Sequence, residues 1–134
     1  MGNRDGFFKG LFLIAALYDI ILGILFLLFY KVAYSFFGIT LPTYPMYLQM
    51  SAAFVFAMGI GYYFVYKNLY RNVDLVKLGI SYKVVYAGLV GYFYFANLAN
   101  IVFLWFGMID VLFIVFFVWF LSYAKKDARY LKWK

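Results

Sequence analysis

The sequence contains no cysteine and no histidine. Without cysteine there is no thiol redox chemistry, no disulfide and no iron–sulfur cluster. Without histidine the usual haem and zinc ligands are missing, as is the commonest general base near neutral pH. Charge is scarce too: 13% of the residues are charged, and only five of these are acidic against 12 basic. Any chemistry must run on Asp, Lys, Tyr or Ser. No catalytic constellation, metal site or cofactor is expected from such a set.

What the chain does have is apolar surface, 69% of its 134 residues. A soluble domain of this size has too little interior to hide that much. Four stretches, residues 11–30, 46–66, 78–96 and 101–123, each approach the roughly 20 apolar residues a helix needs to cross a bilayer. They use most of the chain. The expected fold is therefore an all-α integral membrane protein, a single four-transmembrane-helix bundle with a short basic C-terminal tail. The first run is longer than a signal-peptide core and no small-x-small cleavage site follows it, so it is expected to stay as a span. The start, MGNRDG, lacks the Ser or Thr that the myristoylation pattern wants at its sixth position.

Charge distribution orients the spans. Arg4 and Lys9 precede the first, Lys67, Arg71 and Lys77 lie between the second and third, and Lys125, Lys126, Arg129, Lys132 and Lys134 follow the fourth. Against these ten, the other side has Lys31 alone. The positive-inside rule places both termini and the 67–77 loop in the cytoplasm, which predicts a multi-pass protein of the cell membrane without dual topology. The basic balance thus reflects topology, and no nucleic-acid partner is expected.

The polar turn 97–100, NLAN, is short enough to force an antiparallel hairpin. The link 31–45 is longer, aromatic, and broken by Gly38 and Pro42; it is expected in the headgroup layer, with Pro45 opening the second span. Asp74 is a candidate cap for the third. Aromatic residues make up 27% of the chain. Many of the tyrosines sit near span boundaries, whereas Tyr18, Tyr82 and Tyr86 are deeper and need hydrogen-bond partners. Small residues at helical spacing mark close packing: Ala16 and Gly23 around Asp19, then Ala53, Ala57 and Gly61, then Ala87 and Gly91, and Gly107 before Asp110. These stripes serve packing within one bundle or oligomerisation. The tail, with Tyr130, Leu131 and Trp133 among its lysines, is suited to rest on an anionic leaflet or to act as a stop-transfer flank.

Asp19, Lys83 and Asp110 lie within the spans. At 1.5 Å per residue, Lys83 falls ~8 Å, Asp19 ~12 Å and Asp110 ~16 Å from the cytoplasmic edge, one central slab. Each costs about 2.5–3.5 kcal/mol to insert, so they should turn inward and pair. Lys83 and Asp19, closest in depth, are expected to pair first. Asp110 is then the candidate for a protonated acid, hydrogen-bonded to Tyr or Asn of a neighbouring helix. Such a network is either structural, fixing helix rotation and register, or functional, as a relay or an anchor for a polar ligand group.

LYDIILG in the first span, GIGYY in the second, RN followed by LGISYK into the third, and IDVLFIVFF in the fourth resemble small four-helix prokaryotic membrane proteins of loosely DoxX-like type. The resemblance implies a four-helix bundle with Asp19, Gly61, Lys83 and Asp110 as signature positions. It also implies a role such as accessory subunit of a quinone-linked respiratory complex or assembly factor. Three functions follow in order of expectation. The first is a non-enzymatic subunit or assembly partner of a larger membrane complex. The second is a small oligomeric proton- or cation-coupled transporter using Asp19, Lys83 and Asp110. The third is a quinone- or lipid-binding protein. Membrane lipids are the expected partners in each case, together with a homo-oligomer or a larger membrane complex.

Overall fold

The computed structural model describes residues 4–127, 129 and 132. Among them lie five α-helices: α1 (Asp5–Leu28), α2 (Tyr30–Phe37), α3 (Pro45–Lys67), α4 (Val73–Phe95) and α5 (Ile101–Ala124). Three of these, α1, α3 and α5, are long and apolar enough to cross a membrane. α4 is as long as α3, but its tyrosines, glycines and Lys83 dilute its apolar character. Tyr130, Leu131, Trp133 and Lys134 of the tail lie outside the described residues.

Local chemistry explains most boundaries. Pro45 occupies the first turn of α3, where its missing N–H removes no helix bond. Asn100 caps α5 by accepting from the Val102 N–H at 2.9 Å. Asn97 takes a left-handed φ of 61°, and the Leu98 N–H folds back to the Phe93 carbonyl at 2.8 Å, closing α4 before the turn. Gly38 does the same for α2 at φ 69°, with the Ile39 N–H on the Tyr34 carbonyl at 2.8 Å.

Four features differ from expectation, one being that α4 begins at Val73 and not near 78, so residues 73–77 of the expected loop are helical. α1 begins at Asp5, well before residue 11, because Phe8 and Phe12 are wholly buried and carry the helix into the core. The 31–45 link contains a helix, α2, set off from α1 by a break at Phe29 (φ −121°), beside which Gln49 donates to the Leu27 carbonyl at 3.1 Å. Asp74 does not cap α4; it sits in the first turn and pairs with Lys77 at 3.4 Å, while Asn72 turns back to cap the C-terminal end of α3 through the Phe64 carbonyl at 2.9 Å.

α1 packs most closely on α3, and α4 on α5. Glycine makes the first of these contacts possible. A Cβ added at Gly23 would stand 2.7 Å from the Phe56 amide nitrogen, and one at Gly59 would stand 2.8 Å from that of Ile20, so neither position admits alanine without moving backbone. The expected stripe of Ala53, Ala57 and Gly61 is not this interface. Ala53 and Ala57 are exposed, and a Cβ at Gly61 meets nothing within 4 Å. The α3 face turned inward is instead Ala52, Gly59, Tyr62 and Val65. Ala16 is buried opposite Gly59, and Gly107 is buried in ordinary contact with Ala87 and Val90 of α4.

Across the seam between the two pairs the helices meet through long side chains. Phe12 of α1 stacks on Phe117 of α5 at 4.9 Å between ring centroids, and Phe8 meets Phe120 at 5.1 Å. Large rings hold helix axes apart where glycine would draw them together. Two apolar clusters result. One is built on Phe8, Phe12, Tyr62, Phe117 and Phe120, the other on Phe26, Ala33, Tyr34 and Ala52. The polar residues of α1, α4 and α5 lie between them.

Candidate functional site

Lys83 projects from α4 into this middle layer and is wholly buried. Its Nζ donates to Asp110 Oδ1 of α5 at 2.7 Å and stands 3.6 Å from Asp19 Oδ1 of α1. The rings of Tyr18, Tyr62, Tyr82 and Phe113 surround the ammonium with centroids 5.0–5.8 Å away. Aromatic faces attract a cation, by about 2 kcal/mol or more where water is excluded. They therefore replace part of the hydration that burial removes. Gly79 belongs to the same construction, because the space a Cβ would need there is taken by the Tyr62 ring, 2.6 Å away.

The three residues expected in one slab do meet, with the pairing order reversed. Lys83 hydrogen-bonds Asp110, and its 3.6 Å approach to Asp19 is an ion pair without a hydrogen bond. Depth supplied only one coordinate of three. α4 and α5 form a close hairpin pair, so Asp110 is the lateral neighbour of Lys83, whereas Asp19 reaches it from the other pair. The fully buried carboxylate oxygen without a hydrogen bond is Asp19 Oδ2, and Asp110, expected to bond Tyr or Asn of a neighbouring helix, bonds Lys83 instead. Asp19 Oδ2, Tyr18 Oη and Tyr62 Oη are buried and have no hydrogen-bond partner among the described residues. Nothing local in the sequence singled out Tyr62, which sits beside an outward-facing Tyr63.

Beside the cluster a cavity of ≈ 120 Å³ opens between the helix pairs. Tyr18, Asp19, Tyr82 and Asp110 line one part of it, and Leu22, Phe26, Phe103 and Phe106 extend it as an apolar wall. Leu48, Ser51, Ala52 and Val55 of α3 and Tyr86 of α4 also line it, Ser51 being exposed. The space is close to the ~150 Å³ of an apolar cavity that admits one benzene ring. It suits a ring-sized group with an apolar extension, and its polar wall offers carboxylate acceptors and phenol hydroxyls.

No family model matches the chain, and neither a curated protein nor a solved structure is significantly similar to it. The described residues contain no cluster of side chains suited to a metal ion.

A second polar cluster gathers at the far end of the bundle, away from α2. Asp5 Oδ1 accepts from Tyr70 Oη at 2.6 Å and Tyr123 Oη at 3.2 Å, and Asp5 Oδ2 accepts from Arg129 Nη1 at 2.9 Å. Arg129 also clasps Asp127 with two bonds of 2.8–2.9 Å and lies over the Tyr70 ring at 4.3 Å. The hydrogen bond from Arg129 is the main reason the Asp127 carboxyl is held down at about 2. Burial, and then the hydrogen bond to Asp5, push the Tyr70 phenol up. The cluster brings the start of α1, the α3–α4 loop and the chain after α5 to one end. Its members lie up to 124 positions apart in the sequence, and no spacing signal announced it.

Proposed function

We propose that the protein is a multi-pass membrane protein with four spanning helices, α1, α3, α4 and α5. In this reading both termini and residues 67–77 are cytoplasmic, and the protein binds the polar head of a small apolar molecule, quinone-like or lipid-like, in the cavity beside Asp19. Charge asymmetry supports the topology, and the shared location of the Asp5, Tyr70 and Arg129 ends is what that topology requires. The buried lysine gives α4 a reason to be less apolar than its neighbours. Kinship with the DoxX-like bundles is part of this reading and rests on the short motifs alone.

The observation that carries the binding reading is an unpartnered carboxylate oxygen, Asp19 Oδ2, on a residue of the cavity wall. A scaffold would need the ion pairs but not the space. An unsatisfied buried polar atom costs about 1–3 kcal/mol. A ligand whose hydroxyl or N–H donates to Asp19 offsets that cost, and its body lies along Phe26, Phe103 and Phe106. The protein's part is binding and orientation, with no bond made or broken.

Native mass spectrometry of the gently solubilised full chain tests this. A small apolar molecule should be retained by the wild type and lost in Ser51→Trp, which fills the cavity from its exposed side, without loss of thermal stability. A wild type that carries no such molecule overturns the reading. A co-purifying polypeptide in the same spectrum would favour the accessory-subunit alternative.

A further inference from the structure

The end of the bundle that holds the Asp5 cluster also carries a cleft of ≈ 360 Å³ with a different chemistry. Four cationic side chains line it from three parts of the chain: Lys9 of α1, Lys67 at the last turn of α3, and Arg129 and Lys132 beyond α5. Asn68 adds an amide, and Asp5 is the only acid in the lining among the described residues. That acid is already engaged, accepting from Tyr70, Tyr123 and Arg129. Asp5 and Asp127 together offset Arg129, and Lys9 and Lys67 leave the cleft a net positive charge. Like charges gathered in this way repel one another and favour any anion that bridges them.

Position narrows the class of anion. Lys9 lies two residues before the start of the apolar run at Leu11, and Lys67 closes α3. In the topology proposed above, this is the headgroup level of the cytoplasmic leaflet. Basic pockets between spanning helices on that side are suited to phosphate-bearing head groups. Lysine ammonium groups act there as point charges, while the Arg129 guanidinium is already held by Asp5, Asp127 and Tyr70.

We infer that this cleft binds a phosphate-bearing anion at the membrane surface, either the head group of an anionic phospholipid or a soluble phosphate. The inference rests on the membrane reading but not on the Asp19 cavity, so the two stand or fall separately. The test uses the full chain reconstituted in nanodiscs of phosphatidylcholine mixed with phosphatidylglycerol, then transferred to a neutral detergent for native mass spectrometry. Phosphatidylglycerol should remain bound in preference to phosphatidylcholine. The variant Lys9→Gln/Lys67→Gln removes two cleft charges at exposed positions, and retention should fall about tenfold or more, given the ~1 kcal/mol a basic residue contributes near an anionic leaflet. The control Lys125→Gln/Lys126→Gln removes the same charge from the same end outside the cleft and should change retention less than about threefold. Millimolar inorganic phosphate then identifies the source. If it displaces phosphatidylglycerol, the site belongs to a soluble phosphate; if the lipid resists, it belongs to the head group. Equal losses in the two double variants, or no preference for phosphatidylglycerol in the wild type, overturn the inference.

Discussion

Lys83 serves two carboxylates, and the structure predicts that it serves them unequally. At an effective dielectric near 20, attraction across the 2.7 Å to Asp110 is about 6 kcal/mol and across the 3.6 Å to Asp19 about 4.6 kcal/mol, before desolvation. Geometry alone thus favours Asp110 by about 1.5 kcal/mol, and only Asp110 accepts a hydrogen bond. Measured coupling between contacting residues runs about 0.5–3 kcal/mol. The Asp110–Lys83 pair should fall near the top of that range, about 3 kcal/mol, and the Asp19–Lys83 pair near 1 kcal/mol. Lys83→Met by itself should be the most damaging single change, about 3–5 kcal/mol, because it leaves both carboxylates buried without a cation. Two double-mutant cycles decide the matter, built from Asp110→Asn, Asp19→Asn and Lys83→Met, with stability read by reversible SDS unfolding in mixed micelles. Equal couplings, or a larger one for Asp19, would refute the placement of Lys83 in the α4–α5 pair.

The remaining predictions concern packing, pH and topology. Gly59→Ala should destabilise the protein by about 1–3 kcal/mol, since the new methyl meets the Ile20 backbone. Gly61→Ala should be neutral or stabilising by up to about 1 kcal/mol, as it faces open space and alanine is the better helix former; thermal melts of the two variants should therefore move in different directions. The Asp127 carboxyl, held at about 2 against its ordinary value of 3.8, stabilises tail docking at every pH above about 4, and that contribution is lost as pH falls through about 2. A spin label at position 126 should accordingly gain mobility only in that acid window, and Asp127→Asn should show the mobile spectrum already at neutral pH. Cysteines placed at Ser35 and Asn72 should react with an impermeant reagent from opposite sides of the membrane; reaction of both from one side would refute the four-span topology.

Signals that act over a few residues were legible in the chain. α3 and α5 lie within one residue of the stretches marked by hydropathy, because Pro45 and Asn100 are local start signals. α1 ran longer than its apolar stretch, since Phe8 and Phe12 extend the helix through tertiary burial that a hydropathy window does not register. α2 is eight residues long and carries no sustained period. On α3 two sets of small residues compete, Ala53, Ala57 and Gly61 against Ala52 and Gly59, and spacing cannot say which faces inward. The answer depends on Tyr62 and Val65 filling the core and on Gly59 meeting Ile20. Asp19, Lys83 and Asp110 were conspicuous because charge in an apolar run is costly wherever the helix turns. Which acid receives the hydrogen bond depends on lateral helix order, which one-dimensional depth does not contain. The Asp5–Arg129 cluster joins opposite ends of the chain and had no local trace at all.

The close pairing of α1 with α3 and of α4 with α5 also divides the chain at a single place. Everything up to Lys67 belongs to one pair and everything from Val73 onward to the other. Each half carries its own intimate helix contact, so a peptide bond cut between Arg71 and Asn72 would separate two units that are each already assembled. What would have to hold the cut molecule together is the aromatic seam, the Asp5–Arg129 clasp and the reach of Lys83 to Asp19. The molecule is thus a two-piece object written as one polypeptide. Co-expression of its halves as separate chains would turn the buried lysine from a folding contact into the recognition element of an assembly.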